Sequence, residues 1–543
     1  MYLLENPVLQ RELLVNLRMR RAFILLAVYL FLLGGVVYLA WPQPAAGTLD
    51  LTRNPQEAQT LVNLFFLGQY LLASFMAPSF AAGTITGEKE RKTYEMLLAS
   101  PLRPSAIVLG KLFASLAHLA ILIFCSLPIV MLCLPLGGVS LYEVLAAYLA
   151  IIISVITFGM ISLAWSSYFQ RTAASLVVSY LTILPLALLS VGFWNSFGQA
   201  GSFRLFFVVA ILPLLAAAVC SLLFINTTRR LLHPPDVGSE GQEVVDLETE
   251  AQQAVGLIIQ RDQFPDSLFA PAKRDDLLED GANPIYDKEM RSEIFSQGTL
   301  MLRLVIQVSM FLAIPLMAVL LYIYPIQAPW YISYVVLFNM LVGPVFSAGS
   351  VCSERERQTL DLLLVTIISP WQILWGKLVS GLRVSSVLTA FLLWPVALAC
   401  MMPVGFWSNM PSIGCYLLIV VATCFMTAIT ALFCSVLFHR SSISLMSTYL
   451  AIIVLFTAPL AAWFFAATFF EGSTVTPWVE RLQFTSPFAA VFAVPLDFDL
   501  GAGTARPANW PLFGSFLAFS VTYCLTLLGT MIWLFNRRWR VAD

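Results

Sequence analysis

Charge is what this sequence lacks most. It has 30 Lys and Arg and 31 Asp and Glu in 543 residues, 11% in all, where soluble domains carry about 25%. So few charges cannot clothe a water-facing surface around a chain that is 59% hydrophobic, which excludes a soluble enzyme. A net charge of −1 supplies no basic footprint, which excludes a nucleic-acid-binding domain. Histidine is scarce too: His118, His233 and His439 are all there is, and no Ser/His/Asp or paired-carboxylate arrangement can be identified. Nine cysteines stand singly in apolar runs, with no CxxC and no Cys/His cluster at metal spacing, so they read as small core hydrophobes and not as metal ligands. No small-residue cleavage site follows the first apolar run, so the N-terminal segment is expected to be retained.

What the sequence has in abundance is long apolar runs. A helix needs about 20 apolar residues to cross a bilayer, and runs of that length centre near residues 32, 71, 120, 155, 184 and 215, then near 312, 341, 388, 425, 456 and 523. The expectation is an all-α polytopic membrane protein of about twelve transmembrane helices. With the N-terminus inside, 25 of the 30 Lys and Arg fall on the cytoplasmic side, four outside (Arg53, Arg204, Arg481, Arg506) and Arg383 within a span. The positive-inside rule then puts both termini in the cytoplasm. Residues 234–282 form a polar segment with 12 acids and three bases, expected to be disordered apart from a possible short helix at 255–259.

The chain then starts again. Asn6-Pro7-Val8 with Arg11-Glu12 returns as Asn283-Pro284-Ile285 with Lys288-Glu289, an offset of 277. Residues 78–112 align without a gap to 344–378 at an offset of 266, with 15 identities in 35 positions. Two parallel six-helix repeats follow from this, related by a pseudo-twofold along the membrane normal. The expected organisation is an amphipathic connecting helix (1–22), a first six-span half (23–232), an acidic cytoplasmic linker (233–282), a second connecting helix (283–299) and a second six-span half (300–543).

Asn6 as N-cap and Pro7 at the first helical position suit a helix start. Leu4, Val8, Leu13, Leu14 and Leu17 give that helix an apolar stripe, as for a helix lying in the membrane interface. Two mixed-charge segments follow the second span of each half, Gly87 to Glu95 and Ser353 to Asp361. Their repeated order of charges reads as a short amphipathic helix, apolar face down, charged face toward a partner. The Gly-Lys pairs at Gly110-Lys111 and Gly376-Lys377 lack the first glycine and the hydroxyl residue of a phosphate loop, so no nucleotide site is expected, and both lysines read as snorkelling to headgroups. The ionisable groups at membrane depth are His118, Arg383 and Glu143, each without an evident partner; Arg383 is the candidate for an intramembrane functional role. Residues 471–511 read as a re-entrant cap over the outer mouth.

These motifs carry a resemblance. The Asn-Pro-x-x-x-Arg-Glu helix, the Glu-(Lys/Arg)-Glu-Arg-x-Thr-x-(Glu/Asp)-x-Leu-Leu segment, the Ser-Pro pairs (Ser100-Pro101, Ser369-Pro370) and the Gly-Lys that opens the third span look like the membrane subunit of the type-2 ATP-binding-cassette (ABC) permease family, here as two six-span subunits fused. The resemblance implies an exporter component, not itself an enzyme, that couples to separate cytoplasmic ABC ATP-binding subunits, two copies per chain. It implies no cofactor bound by this chain, with ATP and Mg used by the partner, and residence in the cell inner membrane among its lipids. It implies ATPase-coupling roles for Glu88, Glu90, Arg91, Thr93, Glu354, Glu356, Arg357 and Thr359, and connecting-helix roles for Asn6, Pro7, Arg11, Glu12, Asn283, Pro284, Lys288 and Glu289. The alternative is an ion-coupled secondary transporter with parallel six-span repeats, against which the absence of partnered intramembrane carboxylates argues.

Overall fold

A computed structural model describes residues 6–17, 20–39, 55–131, 140–169, 172–196, 201–232, 283–290, 307, 328–356, 358–401, 406–439, 441–469, 476–494 and 509–538. The expected linker and its short helix, the span near 312, Arg357 and residues 471–475 and 495–508 of the outer segment lie outside the described residues. Those residues are helical, with no strand among them. The chain divides into two units, Met1–Glu243 and Val244–Asp543.

In the first unit, α1 (Pro7–Leu17) is followed by α2 (Arg20–Leu39) and α3 (Pro55–Ala81). Two short helices, α4 (Gly83–Glu90) and α5 (Tyr94–Leu98), lead into α6 (Pro104–Met131), α7 (Leu141–Tyr168) and α8 (Thr172–Ser196). Helix α9 (Gly201–Phe206) continues through a π turn at Phe207–Ile211 into α10 (Leu212–Leu232). Within a helix the backbone polar groups pair with one another, the condition for crossing hydrocarbon. Helix α3 packs on α6, α7 and α8, α10 on α7, and α1 on the start of α6.

The second unit has α11 (Pro284–Met290), α12 (Ala328–Ser347), short helices α13 (Cys352–Glu356) and α14 (Leu360–Leu364), then α15 (Pro370–Met401) and α16 (Phe406–Leu437). Helix α17 (Ser441–Ile452) passes through a π turn at Ile453–Thr457 into α18 (Ala458–Phe469). After α19 (Thr476–Leu482) and α20 (Pro487–Ala493) comes α21 (Trp510–Arg538). A core cluster of Ile285, Leu360, Leu363, Leu374, Ile429 and Phe535, among others, ties α11, α14, α15, α16 and α21 together.

Ten helices among the described residues are long and apolar enough to cross a membrane, five in each unit. The first expected span is the 20-residue α2, which is not among those ten. Leu214, Leu215, Leu222 and Ile225 of α10 are exposed, where a soluble protein would bury them and a bilayer would cover them. The repeat is visible in single bonds: Tyr180 donates to the Phe75 carbonyl at 2.9 Å, and Tyr449 to the Leu341 carbonyl at 2.7 Å.

Candidate functional site: a buried-lysine clasp in each unit

The start of α1 behaves as its sequence predicts. Asn6 caps the helix, its Oδ1 accepting from the Val8 N–H at 3.1 Å, and its amide also donates to the Ala106 carbonyl at 2.6 Å. The second copy does the same: Asn283 accepts from Ile285 at 3.0 Å and donates to the Gln372 carbonyl at 2.8 Å. These bonds draw the connecting helix onto the first turns of α6 or α15, where the residue beneath is a glycine. A Cβ on Gly110 would lie 3.0 Å from Asn6 Nδ2, and one on Gly376 3.1 Å from Asn283 Nδ2 and the Tyr286 nitrogen. The glycine of each Gly-Lys pair therefore admits the connecting helix. The packed face of α1 holds Asn6 and Leu9; of the expected apolar stripe Val8 and Leu13 are half-buried and Leu14 is exposed.

The lysine of each pair corrects the expectation that it snorkels to headgroups. Lys111 and Lys377 are buried, because two carboxylates and a helix-end carbonyl surround each ammonium. Lys111 donates to the Thr84 carbonyl at 2.9 Å and pairs with Glu88 at 3.4 Å and Glu12 at 3.6 Å. Lys377 donates to the Ser350 carbonyl at 2.8 Å and pairs with Glu289 at 2.6 Å and Glu354 at 3.5 Å. One buried cation thus joins the connecting helix, the charged segment and the following span, a pairing that compensates its burial. In the second unit Lys288 adds a further bond to Glu354, at 2.8 Å.

The charged segment is two short helices around a tight turn. Lys92 and Gln358 sit there with φ of 58° and 57°, a left-handed conformation that reverses the chain after the helix end. The reversal brings Thr93 and Thr359 back so that their hydroxyls donate to Glu88 and Glu354. The other repeated charges also bond inward. Lys89 donates to the Ser167 and Phe169 carbonyls at 2.7 and 2.9 Å, closing the end of α7; Arg355 donates to Val436 and Phe438 at 2.8 and 2.9 Å at the end of α16. A cation there meets the negative pole of a helix. Glu90 accepts from the Thr172 N–H and hydroxyl at the start of α8, as Glu356 does from Ser441 at the start of α17. The charged face expected to point at a partner is thus largely turned into its own unit. What remains outward is Arg91, Lys92, Glu95 and Met96 in the first unit, and Gln358, Asp361, Leu362, Val365 and Ile367 in the second.

Sequence reasoning missed one further part. The Ser166 hydroxyl accepts from the N–H groups of Ile85 and Thr86, and Ser435 from those of Val351 and Cys352, at 3.0 to 3.1 Å; single serines in apolar helices gave no motif to notice. The Ser-Pro pairs, already three positions out of register in the sequence, are not equivalent in the structure. Ser369 forms a capping box with Gln372 ahead of Pro370, and the place of Ser369-Pro370 is taken in the first unit by Arg103-Pro104, Ser100-Pro101 lying in the preceding turn.

The intramembrane candidates also resolve differently. Arg383 has a partner: it donates to the Tyr286 hydroxyl at 2.6 Å, a second tie between α11 and α15. Glu143 caps its own helix in a box with Ser140, and the His118 ring packs edge-on against Phe80.

Comparison with curated proteins finds no match. Comparison with protein families matches the chain twice to the family described as ABC-2 family transporter protein, over residues 7–201 and 204–539. That match covers nearly the whole chain and agrees with its apolar, many-helix architecture, so this multi-pass membrane protein belongs to the ABC-2 transporter family, as a permease.

Proposed function

We propose that this permease forms the substrate path of an ATP-driven exporter, running between its two halves, and that separate cytoplasmic ABC ATP-binding subunits, two per chain, drive it. The clasp is the observation that supports the reading. In each unit one buried lysine binds the connecting helix and the charged segment to the head of the next span, so a force on the segment's outward tip reaches membrane helices without passing through a flexible joint. The acids and hydroxyls Glu88, Thr93, Glu354 and Thr359 hold the coupling element in shape, and Glu90 and Glu356 latch it to α8 and α17. Arg91 and the tip residues Met96 and Leu362 meet the ATPase, with Arg357 assigned to the same surface by the repeat. ATP and Mg are bound by that partner, the membrane is a bacterial-type inner membrane, and both termini face the cytoplasm.

The test is affinity purification of the tagged chain from its native membrane in a mild detergent, with the ABC ATPase quantified by mass spectrometry. About two ATPase copies per chain are expected. Met96→Asp with Leu362→Asp alters only exposed side chains and is expected to strip the ATPase while leaving the thermal midpoint in place. A chain free of any ATPase that moves substrate on an ion gradient refutes the reading.

A further inference from the structure

At the Lys/Arg-rich end of the first unit, the ends of α4, α7 and α10 bring two cations, Lys89 and Arg230, onto two tyrosines, with Arg229 next in sequence to one of them. The Arg230 guanidinium lies 3.7 Å from the centre of the Tyr168 ring, and Asn226, one turn earlier on α10, donates to the Tyr168 hydroxyl at 3.1 Å. The ring is held by that bond, and the ring in turn positions the arginine. Lys89, seated on the end of α7, lies 5.5 Å from the centre of the Tyr94 ring. The Arg230 charge acts on both Lys89 and Tyr94; burial pushes the Tyr94 hydroxyl above its ordinary pKa, and Arg230 works against that rise. Arg229 stands exposed beside them.

Like charges so close call for an anion, and the described residues do not offer one. Among the described residues neither Arg229 nor Arg230 forms an ion pair, and Arg230 Nε is buried with no hydrogen-bond partner. A buried donor left unmet costs about 1–3 kcal/mol. Glu90, next to Lys89, is already committed to Thr172. The planar donors of a guanidinium match a phosphate, and arginine with tyrosine at the end of spanning helices marks the headgroup level. The second unit does not repeat the arrangement. Tyr168 and Tyr94 are replaced there by Leu437 and Leu360, while Arg355 keeps the helix-end role of Lys89.

We propose that Arg229, Arg230 and Tyr168 form a one-sided cradle for the phosphate of an anionic phospholipid in the adjoining leaflet, with the charge of Lys89 behind it. The bound headgroup touches the charged segment of the first unit and leaves that of the second alone. This holds whether or not an ATPase docks on that segment.

The experiment titrates the purified full-length chain with phosphatidylglycerol, phosphatidylcholine or inorganic phosphate and reads bound lipid by native mass spectrometry and the thermal midpoint. Phosphatidylglycerol is expected to bind and to raise the midpoint, phosphatidylcholine and inorganic phosphate not. Arg229→Gln with Arg230→Gln is expected to weaken phosphatidylglycerol about thirty-fold, about five-fold or more per arginine near an anionic surface. Arg537→Gln with Arg538→Gln, the paired arginines ending the second unit's last helix, is expected to change it little. Equal effects of the two double variants, equal binding of both lipids, or a midpoint rise with inorganic phosphate alone overturns the proposal. Should the first double variant not survive purification, Tyr168→Leu keeps every charge and is expected to weaken phosphatidylglycerol several-fold; unchanged binding overturns it equally.

Discussion

Lys377→Met tests the clasp of the second unit most directly. The lysine is 1% exposed, with its ammonium 2.6 Å from Glu289 and 3.5 Å from Glu354. Methionine nearly matches the stem in length and flexibility, so the packing survives and the loss is electrostatic. What is left is two carboxylates facing each other, with a half-exposed Lys288 on only one of them. Removing one partner of a buried pair costs about 3–5 kcal/mol. The first unit provides an internal comparison. Lys111 is as buried, at 3%, but Glu12 and Glu88 are 33% and 26% exposed against 18% and 11% for Glu289 and Glu354. Solvent screens the looser pair, so Lys111→Met is expected to cost about half as much. In units of this size each kcal/mol moves the midpoint by about 2–4 °C, which gives a drop of about 6–20 °C for Lys377→Met. The assay is thermal unfolding in detergent followed by tryptophan fluorescence. A triple variant, Lys377→Met with Glu289→Gln and Glu354→Gln, is expected to recover most of the loss, since a neutral cluster of the same shape leaves no unpaired charge. The reasoning fails if Lys377→Met melts with the wild type, or if the triple variant is no more stable than the single one.

Three further outcomes are expected. Gly376→Ala puts a Cβ 3.1 Å from the Tyr286 backbone nitrogen and should cost about 1–3 kcal/mol by lifting α11 off α15; a midpoint and a protease sensitivity at 283–290 equal to wild type would count against the close approach. Ser166→Ala and Ser435→Ala each leave two buried N–H groups without an acceptor, at about 1–3 kcal/mol per group, and hydrogen exchange at residues 85–86 and 351–352 should quicken; protection as in wild type would show that another acceptor serves. The outward tips differ in chemistry: Arg91 and Lys92 are exposed with Glu95 and Met96 in the first, and Leu362, Val365 and Ile367 with Asp361 in the second, which is the more apolar among the described residues. ATPase binding weakened by Arg91→Glu with Lys92→Glu should therefore depend on salt, while that weakened by Leu362→Asp with Ile367→Asp should not; pull-downs from 0.05 to 0.5 M salt, on the order of a threefold change in Debye length, separate the two.

The membrane class, ten of the twelve expected spans and the duplication were legible because each rests on a signal that survives in one dimension: composition, run length and a fixed offset. The helix start at Asn6-Pro7 was legible for the same reason, since a cap is a local event. The clasp was only half legible. Its lysines and acids all recur, Glu12 with Glu289 at one offset and Glu88, Lys111 with Glu354, Lys377 at another, but that the two offsets meet at one ammonium is a fact of packing between each lysine and a connecting-helix acid about 90 to 100 residues away. Snorkelling is the ordinary fate of a lysine at a span's end, and nothing local distinguishes one whose counter-ions arrive from elsewhere. Arg383 was misread on the same ground: its partner Tyr286 is 97 residues away. The inward turn of Lys89 and Glu90 was hidden because their partners lie at the end of α7 and the start of α8 and are mostly backbone groups, which have no sequence signature.

Because the receptors recur in both units, the charged segment is interchangeable hardware. Whichever copy occupies the place, residues 83–98 or 349–364, it finds a buried lysine below, a serine hydroxyl for two of its amides, free carbonyls at one helix end for its basic residue and an amide with a hydroxyl at another helix start for its second acid. A transplant from one half into the other would change the tip while leaving its mounting intact. Gene duplication followed by drift can thus specialise the two tips for different surfaces, as the more apolar face of the second already indicates, with no need to re-evolve the joint that carries them.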